Sequence, residues 1–472
     1  MKESELKKIF QTASSAIIAP AGHGKTEMIV DIVNYGEGRQ LLLTHTNAGV
    51  DALKRRLDKK EIPKDKYVVT TIAAFCLKWC IAYENTANID KNLSPLNGGN
   101  EAQQYYNQIY IGAKKIFDTS WAKTVLRETY TGVIVDEYQD CIQEQHDIFL
   151  SVNQCLPVRV LGDPMQGIFS FAGKLVDWKN IEYPIIEVET KPWRWQETNP
   201  ALGEYLVTVR NSLLPSLDGQ QCSLKIDVQN ESIEVINPDS FDAYKLLKEL
   251  QTYSSVVHIT QWPRQQLNFC MRMPGVFQYD EKQDCDELYK FAKLFDEQTG
   301  AELALSVIRF VSECSTKVNS ELASYIKRLQ SNSFDFSRIK NNIDFGNILK
   351  GIVQYEKTDY ILDILKWIYS NSVFKKYRKE LFLEMMRSVK YAKEYGISII
   401  DATNHIRNDL ELKKRYSDFK FLSSRTLLSK GLEFDCVIID MTTRLSSKDF
   451  YVAMTRAMKK IYIISSTDTF IF

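Results

Sequence analysis

Short apolar runs alternate with amphipathic stretches over the first 190 residues. Ser15–Ala19, Gln40–Thr44, Tyr67–Thr71, Gly132–Asp136 and Val158–Gly162 are the runs, largely apolar or β-branched. Each is followed by a loop and then by apolar residues at three- and four-residue spacing. Runs of that length read as buried strands, and the spaced stretches as helices. A strand–helix alternation predicts a parallel sheet with crossover helices. The strand pattern returns late, at Cys436–Asp440 and Lys460–Ser465, with weaker runs at Ser232–Ile236 and Ser254–Ile259. A second α/β lobe is therefore expected, split by an insertion.

The insertions read as helical. Asp286–Ser315 and Asp359–Tyr395 keep helical spacing inside a long segment, 283–412. A shorter segment, 77–125, is mostly helical around a loop at Ser94–Asn100. The expected organisation is a first lobe of 1–76 and 126–190 with the small insertion 77–125. A second lobe of 191–282 and 413–472 carries the larger insertion 283–412. No internal repeat or low-complexity tract appears.

Composition narrows the class. The chain has 472 residues, 44% hydrophobic, with 60 basic and 60 acidic side chains. A zero net charge excludes a basic-tail nucleic-acid binder and an acidic disordered chain, but not a local basic track. Such local groups exist: Lys54–Lys66 holds seven Lys/Arg against three Asp/Glu. Lys375, Lys376, Arg378 and Lys379 form another group, and Lys413, Lys414 and Arg415 a third. No apolar run approaches a membrane span of ~20 residues, and Met1–Phe10 lacks an apolar signal core. The nine cysteines are scattered, which fits a reducing, cytoplasmic setting. Cys76 and Cys80 share a helix face, but no second pair completes a zinc site, so packing is expected.

The chemistry lies at two strand ends. Ala19-Pro20-Ala21-Gly22-His23-Gly24-Lys25-Thr26 follows the first strand and opens a helix. Glycines there let backbone N–H groups turn onto a β-phosphate, Lys25 reaches the β- and γ-phosphates, and Thr26 offers a hydroxyl to magnesium. Ala19 stands where the general pattern has glycine. The fourth strand ends in Asp136-Glu137. Asp136 is placed to hold the metal, and Glu137 to orient and deprotonate the attacking water.

With these two motifs in place, the chain resembles the UvrD/Rep-like branch of superfamily 1 helicases. Thr44-His45-Thr46-Asn47-Ala48 is similar to the family's single-strand contact motif, and Thr71-Ile72-Ala73-Ala74-Phe75 to the next. Leu161 to Gly173, with Gln166 and Phe171, resembles the motif linking the γ-phosphate to DNA. Pro192-Trp193-Arg194 resembles the aromatic–Arg step. Ser429-Lys430-Gly431-Leu432-Glu433-Phe434-Asp435 and Tyr451 to Ala457 complete the series.

The resemblance implies an α/β fold of two RecA-like P-loop lobes with parallel sheets, each carrying a mostly helical insertion. It implies ATP and Mg2+ as substrate and cofactor. Arg194 and Arg456 would be arginine fingers from the second lobe, and Gln166 a sensor of the γ-phosphate. Glu433 would contact the ribose, and Gly431 would allow close backbone approach. Thr46, Asn47, Thr71 and Phe171 would touch single-stranded DNA. The implied activity is an ATP-driven 3′-to-5′ translocase or helicase on single-stranded or tailed duplex DNA. The chain departs from the family at the adenine-reading Gln, where Ser4 stands near the usual position, and at Ala172 in place of an Arg. Trimmed insertions raise a second possibility: a DNA-sensing regulatory ATPase serving a nuclease partner, as in phage-defence systems such as Gabija.

Overall fold

The computed structural model describes residues 1–90, 99–169, 173–273, 275–280, 286–355, 358–411 and 419–472. The chain packs as two compact units. The first is Met1–Glu234 with Leu445–Ile461 and Thr467–Phe472; the second is Val235–Arg444 with Tyr462–Ser466.

The first unit is built on a five-stranded sheet: β1 (Ser15–Ile18), β2 (Gln40–Thr44), β3 (Tyr67–Thr71), β4 (Gly132–Val135) and β5 (Val158–Gly162). The order is β1-β5-β4-β2-β3, with every pairing parallel. Alternate side chains of a strand point to opposite faces, and here both faces are covered. Ile17, Leu42, Ile134 and Leu161 enter one core with Ile29, Val33, Leu53 and Leu57. Their neighbours Ala16, Leu41, Val133 and Val160 enter the other, with Phe75, Phe117, Leu126 and Phe149. Burial on both faces explains why these strands read as continuous apolar runs rather than alternating ones. At about 1.5–3 kcal/mol for each fully buried large aliphatic or aromatic side chain, the two cores hold the strand ends rigidly in register. The small insertion is helical, with Ile72–Ala82, Glu84–Ala87, Gly99–Phe117 and Ser120–Thr129. Most of the expected loop Ser94–Asn100 lies outside the described residues.

The remaining strands are β6 (Ser223–Lys225), β7 (Ile233–Ile236), β8 (Val256–Thr260), β9 (Gln278–Tyr279), β10 (Phe421–Arg425), β11 (Phe434–Asp440), β12 (Ala457–Ile464) and β13 (Thr469–Ile471). β6 and β13 form an antiparallel ribbon. The other six form a sheet ordered β7-β12-β11-β8-β10-β9, in which β11–β8, β8–β10 and β10–β9 pair in parallel. The structure thus has two α/β sheets with helical additions, the fold class expected of two RecA-like lobes.

The larger insertion folds around its own apolar core. Phe291, Phe310, Phe345, Leu365, Phe382 and Val389 from five of its helices meet there. The stretch Asp286–Ser315, which keeps helical spacing, forms two helices: Asp286–Glu297 and Gly300–Cys314. Gly300 takes a φ of 56° at the break, a conformation that favours glycine.

No described helix is long and apolar enough to cross a membrane. No group of three or more metal-ligating side chains occurs among the described residues. Cys76 and Cys80 are buried. Burial drives the Cys76 thiol far above its ordinary range and pushes Cys80 up to about 11, as packing residues require.

Candidate active site

The chain leaves β1 into a loop that curls over the end of the sheet. Ala19 still belongs to the sheet edge: its N–H donates to the Gly162 carbonyl at 3.0 Å, and it is fully buried. Gly22 and Gly24 then take φ values of 72° and 82°, the left-handed region that side chains with a Cβ avoid. Gly24 caps helix Lys25–Tyr35 with its carbonyl, which accepts from Met28 N at 3.0 Å. The free N–H groups of that helix start make an anion-favouring end. Lys25 and Thr26 are its first two residues. Pro20 and Ala21 set the turn, and the His23 N–H returns to the Pro20 carbonyl at 3.1 Å. The His23 ring is buried with Nδ1 2.8 Å from the Ala21 carbonyl. Burial lowers its pKa, so it packs as a neutral ring.

Lys25 Nζ donates to Glu137 Oε2 at 2.8 Å. Burial alone would discharge this lysine, yet the Glu137 and Asp136 carboxylates outweigh it and its pKa is raised. It is a fixed positive charge at the end of the sheet. Asp136 closes β4: its N–H donates to the Leu43 carbonyl, and its Oδ1 accepts from Glu137 N at 2.8 Å. Burial pushes its carboxyl up to about 7, helped by the Glu137 charge and opposed by Lys25. Glu137 sits at a φ of 53°, which turns its carboxylate back toward Lys25.

A polar chain continues from there. Gln139, buried, donates its amide to Glu137 Oε2, and its Oε1 accepts from Asp163 N at 3.0 Å. Asp163 is fully buried and saturated. Its Oδ1 accepts from Arg210 Nη2 at 2.8 Å, Arg210 Nε at 3.2 Å and Met165 N at 3.2 Å. Its Oδ2 accepts from Ala21 N at 3.2 Å and Gln166 Nε2 at 3.3 Å. Asp163 therefore ties the phosphate loop and Gln166 to helix Pro200–Leu213, which carries Arg210. Burial works against the Arg210 charge, but Asp163 raises its pKa.

The turn Trp193–Trp195 lies on the phosphate loop. Arg194 N donates to the Gly22 carbonyl at 3.0 Å. A Cβ on Gly22 would stand 2.5 Å from the Trp195 ring, and one on Gly24 would stand 3.1 Å from Trp193. These glycines are demanded by close packing as well as by φ. Arg194 Nη1 donates to the Thr455 carbonyl at 2.6 Å, and Trp195 Nε1 to the Ala457 carbonyl at 2.6 Å. Arg456 is buried between them in sequence, with Nε on the Val452 carbonyl and Nη2 on Thr455 Oγ1, both at 3.1 Å. Both arginines belong to the same compact unit as the phosphate loop. Trp193 is 56% exposed, whereas Trp195 is buried.

Thr46 and Thr71 stand at the same end of the sheet, past β2 and at the end of β3, whose residues Thr44 and Thr71 pair in register. Each caps a helix: Thr46 Oγ1 accepts from Gly49 N at 3.0 Å, and Thr71 Oγ1 from Ala74 N at 3.1 Å. Asn47 is the exposed first residue of helix Asn47–Lys59. Phe171 lies outside the described residues, as do Lys413, Lys414 and Arg415. In the Lys54–Lys66 group, Arg56 and Lys60 are engaged by Glu27 at 3.2 and 2.6 Å, so two of its charges serve the fold. Gly431 and Glu433 belong to the second unit, on the loop that enters β11. Gly431 has a φ of 84° and open space around it, so backbone conformation alone selects glycine.

Sequence reading missed Arg210 and Gln139 as members of this site. Gln139 and Asp163 lay within motifs, but Arg210 had no local signal. Breaking a buried pair by removing one partner costs about 3–5 kcal/mol. Arg210→Met is thus expected to lower stability by about that much, read as a denaturant midpoint by circular dichroism. The double change Arg210→Met with Asp163→Leu should recover part of the loss. A single variant as stable as the parent would show that the pair contributes nothing.

An AAA domain family model matches residues 2–172, the segment carrying the phosphate loop, Asp136, Glu137 and Gln166. No curated protein matches the chain. Among solved structures 143 chains match. One is the arterivirus nonstructural protein 10 helicase solved with DNA, at 10% identity and a TM-score of 0.34. That match covers 98% of this chain and 63% of the other, so this chain spans less than two thirds of that protein's length.

Proposed function

We propose that the chain is an ATP-dependent translocase or helicase on single-stranded DNA, of 3′-to-5′ polarity as the UvrD/Rep resemblance implies. The observation that carries the reading is the partly buried Lys25–Glu137 pair, which joins the helix start after the glycine loop to the strand-end carboxylate. Lys25 meets the β- and γ-phosphates and releases Glu137 to the attacking water. Gln139, already bonded to Glu137, fixes the direction of that carboxylate. Gln166 reads the γ-phosphate and, through Asp163, is mechanically joined to the loop. Arg194 and Arg456 supply positive charge as it develops on the transferred group. Trp193, exposed beside Gly24, offers a flat face to a nucleobase.

The donor set fits magnesium. Asp136 is a buried carboxylate whose ionisation a cation would favour, and Thr26 adds a hydroxyl from the helix start; both are hard oxygen donors. Bound there, the ion would neutralise phosphate charge. Thr46, Asn47 and Thr71 line the strand-end edge for backbone phosphates, with Phe171 as the stacking residue.

The second reading is a regulatory ATPase that acts through a partner such as a nuclease. One observation favours it. The small insertion exposes Ile81, Tyr83, Trp121 and Val125, with the Tyr83 and Trp121 rings 4.4 Å apart, an apolar face of the kind partners cover. One experiment separates the readings: ATP turnover with and without single-stranded DNA, beside unwinding of 3′- and 5′-tailed duplexes by the purified chain. The leading reading expects at least tenfold stimulation and unwinding of the 3′-tailed substrate. Stimulation without unwinding selects the regulatory reading. Turnover indifferent to DNA sinks both.

A further inference from the structure

The second unit holds a cavity of about 740 Å3 that the phosphate-loop chemistry does not use. Its walls come from the end of helix Pro263–Arg272, the segment after helix Gly300–Cys314, residues 372–375, and Tyr244. Two of these segments are stitched together. Thr316 N donates to the Lys375 carbonyl at 2.9 Å, and Ser315 and Lys376 form an antiparallel bridge. Gly275, at a φ of 68°, leaves the room this needs, since a Cβ there would stand 2.6 Å from that of Lys375.

The charge of the lining is one-sided. Arg272, Lys317 and Lys375 face the cavity and no carboxylate does, in a chain with as many acidic as basic residues. Among the described residues none of the three is held in an ion pair. Arg272 stacks over the Phe241 ring at 4.3 Å, which holds its planar fork in place. Ser315, 3% exposed, lines the cavity with its hydroxyl unpartnered. A buried polar group left unsatisfied is costly, and a ligand oxygen bonded to it removes that cost. Ser312, Thr316 and Ser320 add hydroxyls. The volume lies within the range of about 300–1,000 Å3 that small-ligand sites occupy.

We infer that this cavity binds a phosphate ester, as a second phosphate site apart from the phosphate loop. Three lining cations, several hydroxyls and the lack of lining carboxylates match phosphate oxygens. The ester has two sources, a free phosphorylated molecule or the backbone of a nucleic acid. A neighbouring cavity of about 790 Å3 shares Ser320 and is lined by Lys327, Arg328, Arg338 and Lys340 against one carboxylate, Glu321. That continuation suits a chain of phosphates.

The test uses the full chain in a Lys25→Ala background, so that the phosphate-loop cation is removed. Two probes are titrated: inorganic tripolyphosphate by calorimetry and a labelled 20-nucleotide oligo-dT by anisotropy. Arg272→Gln, Lys317→Gln and Lys375→Gln are combined. A control removes three exposed charges elsewhere in the unit, by Lys248→Gln, Lys290→Gln and Lys293→Gln. The cavity variant is expected to weaken at least one probe tenfold or more, and the control neither. Loss on oligo-dT, with a log–log salt slope shallower by about two at about 0.7 per phosphate contact, assigns the backbone. Loss on tripolyphosphate alone assigns a free ester. Ser315→Ala should weaken the same probe by two- to threefold. The proposal is overturned if the cavity variant binds both probes as its parent does, or if the control loses as much.

Discussion

Lys25→Ala is expected to reduce ATP hydrolysis about a thousandfold, the scale on which charged stabilisers act in phosphoryl transfer. The side chain is the buried cation nearest two carboxylates, and its charge is retained because Glu137 and Asp136 hold it. Without it the Glu137 and Asp136 carboxylates face a polyanion with no lysine beside them. The change also removes a charge that lowers the Asp136 pKa, so the cation-binding carboxylate becomes more protonated at neutral pH. Stability should fall little, since Glu137 is a third exposed and water takes over part of its solvation. Phosphate release at saturating nucleotide, with a melting curve beside it, checks both halves. Near-normal turnover in a folded variant would refute the phosphate-loop assignment.

Glu137→Gln is expected to leave nucleotide binding intact and to slow turnover by about a hundred- to ten-thousandfold, the contribution of a general base. The substitution keeps size and backbone preference at a φ of 53°. It can still accept from the Gln139 amide, so the turn after β4 is preserved. Lys25 loses its main counter-charge but keeps Asp136. A nucleotide-bound, slowly hydrolysing protein, measured by binding of a fluorescent nucleotide and by single-turnover release, is the expected result. Loss of binding with the fold intact would make Glu137 a structural carboxylate.

The parts of the site legible in sequence are those made by short stretches of chain. β2, β3 and β5 were expected at the residues they occupy, and β1 and β4 end one residue earlier, because both faces of the sheet are covered and the runs are largely apolar or β-branched. β10 left no such trace. Its centre is Ser423 and Ser424, both fully buried, and Ser423 Oγ meets His258 Nδ1 at 2.8 Å. A strand that satisfies polar side chains by cross-strand hydrogen bonds does not look apolar.

By itself the sequence determined the phosphate loop, the Asp136-Glu137 strand end and the alternation that makes the sheets. Each depends on neighbouring residues: a glycine's φ, a helix start, a run of β-branched side chains. Only the tertiary structure decided what those residues are joined to. Arg210 reaches Asp163 across 47 positions, and Trp195 covers Gly22 while its indole N–H holds Ala457. Such contacts have no periodicity or spacing, because packing selects them by shape and by the need to pair every buried charge.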